Sequence, residues 1–242
     1  MNREPRGFTL ISLLIGTTIS LISILAMLSL YKNVVYNSLT SIQSSRQDGQ
    51  VASALITAQR ELMNAGFWSG SATARATSDI ENNFILLSGA LLSNGTLSSK
   101  APVQNSFPTL TSSASNAISG NAIVWSYQTD ATATASCAGL LISNGALLSL
   151  KSATSCTQAS TQWNSTTWTS TPLIETGQGS ASLSVGFATC WPYGRTTNSA
   201  YRLQVSLSAN NSTLDPNSTD PQPAYVKSKA TACLINFEKP TS

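Results

Sequence analysis

Histidine is absent from this 242-residue chain, and charged residues make up only 10% of it. Without an imidazole there is no Ser-His-Asp or Cys-His constellation to activate a nucleophile. A zinc site would have to be built from cysteine alone, and the four cysteines show no Cys-x-x-Cys spacing suited to one. No glycine-rich phosphate loop follows a strand-like run. A formal net charge of +3 is too small to argue for electrostatic capture of nucleic acid. These absences speak against an enzyme and against direct nucleic-acid binding, and they imply no cofactor.

What the chain does have is concentrated at its start. A polar leader, Met1 to Gly7, carries Arg3 and Arg6 and is followed by the uncharged apolar run Phe8 to Leu30. A secretory signal would have an apolar region of about 7–15 residues ending in a small-residue cleavage site. This run instead approaches the roughly 20 residues that cross a bilayer as a helix. The two arginines hold the leader side in the cytoplasm, so everything after Leu30 faces outward.

The segment Gly7-Phe8-Thr9-Leu10-Ile11-Ser12-Leu13-Leu14-Ile15-Gly16 resembles the class III leader junction of type IV prepilins and type II secretion pseudopilins. In that family a prepilin peptidase of the membrane cuts after the glycine and N-methylates the new terminal phenylalanine. The resemblance therefore implies cleavage between Gly7 and Phe8 and methylation of Phe8. Removing Met1 to Gly7 takes away two arginines and one glutamate and lowers the side-chain charge from +3 to +2.

At the fifth mature position most pilins have a glutamate, and here the residue is Ser12. In the family that carboxylate meets the terminal ammonium of a neighbouring subunit among apolar helices, where an unpaired charge is costly. A serine hydroxyl supplies no compensating charge. The subunit either sits at the tip and never docks beneath another, or relies on its other contacts, or carries a variant of a normal glutamate. The tip subunit of type II secretion systems also lacks this glutamate, which by analogy favours the tip.

Beyond the bilayer the helix is expected to continue to about Ala65. Val35, Leu39, Ile42, Gly49, Ala52, Ile56, Gln59 and Met63 recur mostly at intervals of three and four, which places them near one face. Gln43 to Gln50 is polar and contains Gly49, where the helix is expected to be weak or locally open. From Phe8 to Ala65 such a stem would be roughly 87 Å long at 1.5 Å per residue. Its end, Gln47 through Ala65-Gly66-Phe67-Trp68, resembles the PilW-type minor pilins, and Gly66 is placed to terminate the helix in the left-handed conformation.

The remainder reads as one β-rich domain. Phe84–Leu87, Ala122–Tyr127, Gly139–Ser143, Ala146–Leu150, Ser182–Phe187, Tyr201–Leu207 and Cys233–Phe237 are short strand-like runs. Asn144-Gly145 signals a two-residue hairpin, and Asn94-Gly95 a second between Leu91-Leu92 and Leu97. Ala72–Ser78, Ser112–Ser119, Thr157–Thr171 and Asn210–Pro223 are Ser/Thr/Asn-rich and read as loops.

All four cysteines, Cys137, Cys156, Cys190 and Cys233, lie on the outward, oxidising side, which favours two disulfides among three possible pairings. The Asn144-Gly145 turn brings Cys137 opposite the region of Ser152, close to Cys156, so Cys137–Cys156 with Cys190–Cys233 is the preferred set. Trp163 and Trp168 are read as anchors of a polar loop on the core rather than as partner contacts. Asp215 and Asp220, with Asn210, Asn211 and Asn217, lack the regular spacing of a calcium loop and read as a solvated segment. Asp79 and Glu81 read as surface charges. Asn94, Asn164, Asn210, Asn211 and Asn217 begin Asn-x-Ser/Thr triplets, which so Ser/Thr-rich a chain contains by chance.

The expected architecture is α+β, a type IV pilin fold. Residues 1–7 are the leader, 8–30 the transmembrane half of the stem, 31–66 its amphipathic half and 67–242 the head. The resemblance implies a minor pilin that joins other minor pilins and the major pilin in priming or capping a type IV pilus. It implies passage through the bacterial inner membrane and its pilus assembly platform, then residence in the extracellular pilus, at or near the tip. The pilus would serve motility, adhesion or DNA uptake. A J-like pseudopilin of type II secretion shares this stem. A membrane-anchored envelope enzyme or binding protein that keeps its leader is the reading from another class.

Overall fold

The computed structural model describes residues 9–67, 80, 82–102, 117–129, 133–190, 201–214 and 225–238. It opens on a single helix, α1, Leu10–Met63, of 54 residues. No proline falls between Pro5 and Pro102, so nothing removes a helix donor along this length. The helix also runs unbroken through Gly49, contrary to the weak point expected there. Contacts that begin at its neighbours Asp48 and Val51 hold this turn in place. By internal contacts the chain divides into Met1–Arg46 and Gln47–Ser242.

Within the second unit, antiparallel sheets build a β-rich head. Six strands form one sheet in the order β4 (Ala101–Pro102), β1 (Phe84–Ser88), β6 (Ala122–Tyr127), β7 (Ser136–Ser143), β8 (Ala146–Ser152), β9 (Trp168–Ile174). Four form a second sheet in the order β12 (Tyr225–Glu238), β11 (Tyr201–Leu214), β10 (Ala181–Thr189), β5 (Ile118–Gly120). A small hairpin pairs β2 (Leu91–Ser93) with β3 (Thr96–Ser98), and a one-turn helix, α2, covers Ala159–Gln162.

Both Asn-Gly hairpins form as the sequence suggests. Ser143 pairs with Ala146 around Asn144-Gly145, and Ser93 with Thr96 around Asn94-Gly95. All four turn residues have positive φ, which asparagine tolerates and glycine adopts freely.

The six-stranded sheet is buried on both faces, and successive residues alternate between two cores. Phe84, Leu86, Ile123, Trp125 and Leu140 enter the larger core, shared with the end of α1 and with Leu183, Val185, Leu203 and Val205 of the four-stranded sheet. Ile85, Leu87, Val124, Leu141 and Leu150 enter a smaller core on the other face, closed by Leu97, Ala159, Trp163 and Trp168. A strand covered on both sides needs no polar position, which is why these segments read as nearly unbroken apolar runs.

Several expectations are corrected. The face of α1 that enters the larger core is Val51, Ala54, Leu55, Ala58 and Leu62, not the stripe through Ala52, Ile56, Gln59 and Met63. Ile56 is 59% exposed and Met63 37%. The seam is rich in alanine, whose small side chain lets helix and sheet approach closely, so large apolar residues were a poor guide to it. Val35, Leu39 and Ile42 are exposed as well. The loops expected at Ser112–Ser119 and Thr157–Thr171 overlap β5 and contain α2 and the start of β9. β11 continues to Leu214, into the segment read as a loop from Asn210, and β12 begins at Tyr225, well before Cys233. Ala72–Ser78, Asp79, Glu81 and Trp68 lie outside the described residues.

Candidate functional site

The most unusual surface is the first part of α1. Leu10, Ile22 and Met27 are 77%, 67% and 74% exposed, and the first charged residue within α1 is Lys32. By length and composition this helix is a candidate membrane anchor. Hydroxyls within the run are turned back on their own helix. Thr17 Oγ1 donates to the Leu14 carbonyl at 3.0 Å, Thr18 Oγ1 to Ile15 at 2.9 Å and Ser23 Oγ to Ile19 at 2.9 Å. Each such bond removes a polar group that hydrocarbon could not satisfy. Ser12 lies in the first turns, with its N–H donating to the Thr9 carbonyl at 2.9 Å, and its side chain is exposed. Gly7 and Phe8 lie outside the described residues.

From Gln47 onward, polar groups fasten the same helix to the sheets. Asp48 accepts two bonds from Ser212 of β11, from the backbone N–H to Oδ1 at 2.7 Å and from the hydroxyl to Oδ2 at 3.0 Å. Gln59 Nε2 donates to the Thr231 carbonyl of β12 at 3.0 Å, and Ser149 Oγ donates to Glu61 Oε2 at 2.8 Å. In the turn that follows Met63, Gly66 has φ 72 and its N–H donates to the Ser126 carbonyl at 3.0 Å. A Cβ there would meet the Phe237 ring at 2.7 Å. Asn236 Nδ2 closes the end by donating to the Ala65 carbonyl at 2.9 Å. Sequence reasoning missed Asp48 and Glu61, because one polar residue per turn looks like a solvated face until its partners are known, and it placed Gln59 in the expected stripe without a hydrogen-bond role.

The structure joins Cys137 to Cys156 and Cys190 to Cys233, with Cα separations of 5.3 and 5.8 Å. The first bond sits at the mouth of the β7–β8 hairpin, where the Cys137 N–H donates to Ser152 Oγ at 2.9 Å. The second ties the residue after β10 to the middle of β12. Trp163 and Trp168 are buried in the smaller core, and Trp168 Nε1 donates to the Trp163 carbonyl at 2.9 Å, so both anchor their loop.

No metal-binding cluster is present among the described residues. No cluster of three or more His, Cys, Asp or Glu side chains occurs there. Asn210 and Asn211 lie in β11, whereas Asp215, Asn217 and Asp220 lie outside the described residues. Asn94 holds a hairpin turn and Asn164 a turn after α2. No protein-family model, curated protein or solved structure matches this chain. Its class is accordingly defined by its own architecture: a long apolar N-terminal helix that is a candidate membrane anchor, joined to a β-rich antiparallel head in an α+β layout.

Proposed function

We propose that this chain is a minor pilin resembling the PilW type, which helps to prime or cap a type IV pilus and has no enzymatic activity. The observation that carries the reading is the Gly7-Phe8 junction joined to a helix whose first part, residues 10–30, is uncharged and exposes its apolar side chains on every side. A helix apolar on every side suits both a bilayer and a bundle of other subunits' helices. In this reading the head stays outside the cytoplasm, a setting in which its two disulfides persist. The partners are other minor pilins, the major pilin, the prepilin peptidase and the assembly platform.

Mass spectrometry of the mature N terminus tests the proposal. Phe8, N-methylated, is the expected first residue, and an intact Met1 leader in cells with active prepilin peptidase would exclude a pilin. Ser12 gives the proposal its position. A tip subunit has no subunit above it for a carboxylate to engage, so Ser12→Glu should leave fibre number unchanged, whereas deletion of the protein should lower it. Strong incorporation of Ser12→Glu along the shaft would show that the missing charge had limited docking.

A further inference from the structure

The edges of the two sheets are finished differently. Each edge strand of the six-stranded sheet contains a proline, Pro102 in β4 and Pro172 in β9, and proline has no N–H to offer an added strand. In the four-stranded sheet one edge, β5, has only 3 residues. The other, β12, has 14 residues and no proline.

The register shows which backbone groups of β12 face away from the sheet. Gln59 Nε2 reaches the Thr231 carbonyl, so that carbonyl points out of the ladder with β11. Residues two apart share this direction. Lys227, Lys229 and Thr231, opposite Asn210, Ser208 and Ser206, therefore turn their N–H and C=O groups outward. The other strand agrees, since the Asn210 N–H, opposite Lys227, points the other way and donates to the Ser180 carbonyl. Apart from the Gln59 bond, no hydrogen bond to the backbone of residues 225–231 other than the β11 ladder occurs among the described residues.

We infer that the edge of β12 at residues 225–230, short of the Thr231 carbonyl that Gln59 occupies, receives an extended segment of a partner protein as an additional antiparallel or parallel strand. The chemistry of the edge selects the segment. Lys227 and Lys229 are exposed on the outer face, beside a concavity of about 310 Å³ lined by Ser182, Ser206, Ser208 and Thr231 among others and by no carboxylate. The opposite face offers the exposed apolar side chain of Val226. The matching strand alternates carboxylates with apolar residues. A second copy of this chain fits poorly, because antiparallel self-pairing centred near Ser228 would set Lys227 opposite Lys229. Neither the proline contrast nor the lysine pattern depends on the pilus reading.

The test uses the full chain in detergent micelles with two synthetic peptides, one alternating glutamate with valine and one alternating lysine with valine. The glutamate peptide should slow amide hydrogen exchange at Lys227 and Lys229, bind at least about tenfold tighter than the lysine peptide, and weaken as salt is added. Lys229→Pro removes an outward N–H without touching the β11 ladder and should abolish binding. Lys229→Gln keeps that N–H, so it should retain the exchange protection with weaker affinity. Should Lys229→Pro fail to fold, the double reversal Lys227→Glu with Lys229→Glu should switch the preference to the lysine peptide. Equal binding of both peptides, unchanged exchange at these amides, no switch on charge reversal, or self-association through β12 in place of peptide binding would each overturn the proposal.

Discussion

The six-stranded sheet of the head is covered on both faces, whereas the four-stranded sheet buries one face and leaves the serine-lined part of the other in contact with solvent, with Arg202 and Cys233 buried on it. Their sequences differ accordingly. β1 and β6 have buried residues at nearly every position, Phe84 to Leu87 and Ala122 to Ser126. β10 alternates, with Leu183, Val185 and Phe187 inward and Ser182, Ser184 and Gly186 between them. Alternation thus reports one wet face, and its absence reports a second layer. In this head that layer is supplied by the β2–β3 hairpin, α2 and the two tryptophans. The edges follow the same division, proline-bearing in the covered sheet and proline-free in the other.

Trp125 gives the largest expected effect on this contrast. It lies fully buried at the centre of the six-stranded sheet, and Trp125→Ala should cost about 3–5 kcal/mol in denaturant unfolding. Its Nε1 has no hydrogen-bond partner among the described residues. Trp125→Phe, which keeps a ring and discards an unpaired donor, should therefore cost far less. Equal losses in the two variants would show that the indole N–H is satisfied.

The disulfides come next. Loop closure over separations of 19 and 43 residues gives about 3 and about 4 kcal/mol for Cys137–Cys156 and Cys190–Cys233. The location of each distinguishes them more sharply than the size. Replacing Cys137 and Cys156 by serine puts polar groups into the smaller core and should raise binding of a hydrophobic dye such as ANS. Cys190 and Cys233 belong to neither core, although Cys233 is buried, and loss of the pair should lower stability with less dye binding. A dye response of equal size in both variants would break the distinction between a doubly covered sheet and a singly covered one.

Ser206 gives the smallest effect. It stands on the wet face of the four-stranded sheet, where Ser206→Ala should change stability by no more than about 0.5 kcal/mol. A larger loss would mean that this face is covered.

Most strands were legible because apolar runs and Asn-Gly turns are local signals. Ala122–Tyr127 was read with the observed bounds, and the β7–β8 register follows from its turn alone. The candidate anchor was legible for a similar reason, since an uncharged apolar run needs no partner to be recognised. The buried stripe of α1 was not. Ile56 and Leu62 are both large and apolar, yet Ile56 is 59% exposed and Leu62 fully buried, because the sheets approach the alanine side of the helix. β5 was hidden within a Ser-rich segment, and it is a strand only because β10 lies beside it. Asp48, read as part of a weak interval, became a clamp only when β11 placed Ser212 against it.

Neighbours along the chain settle three features: an uncharged first part of α1 long enough to be a candidate membrane anchor, the two tight turns, and a hairpin that brings Cys137 near Cys156. Tertiary packing settled which stripe of α1 is buried, which sheet is covered twice, and which backbone groups of β12 point away from the ladder. Those outcomes depend on contacts between residues far apart in sequence, whose burial energy is set by what packs opposite and not by the side chain itself.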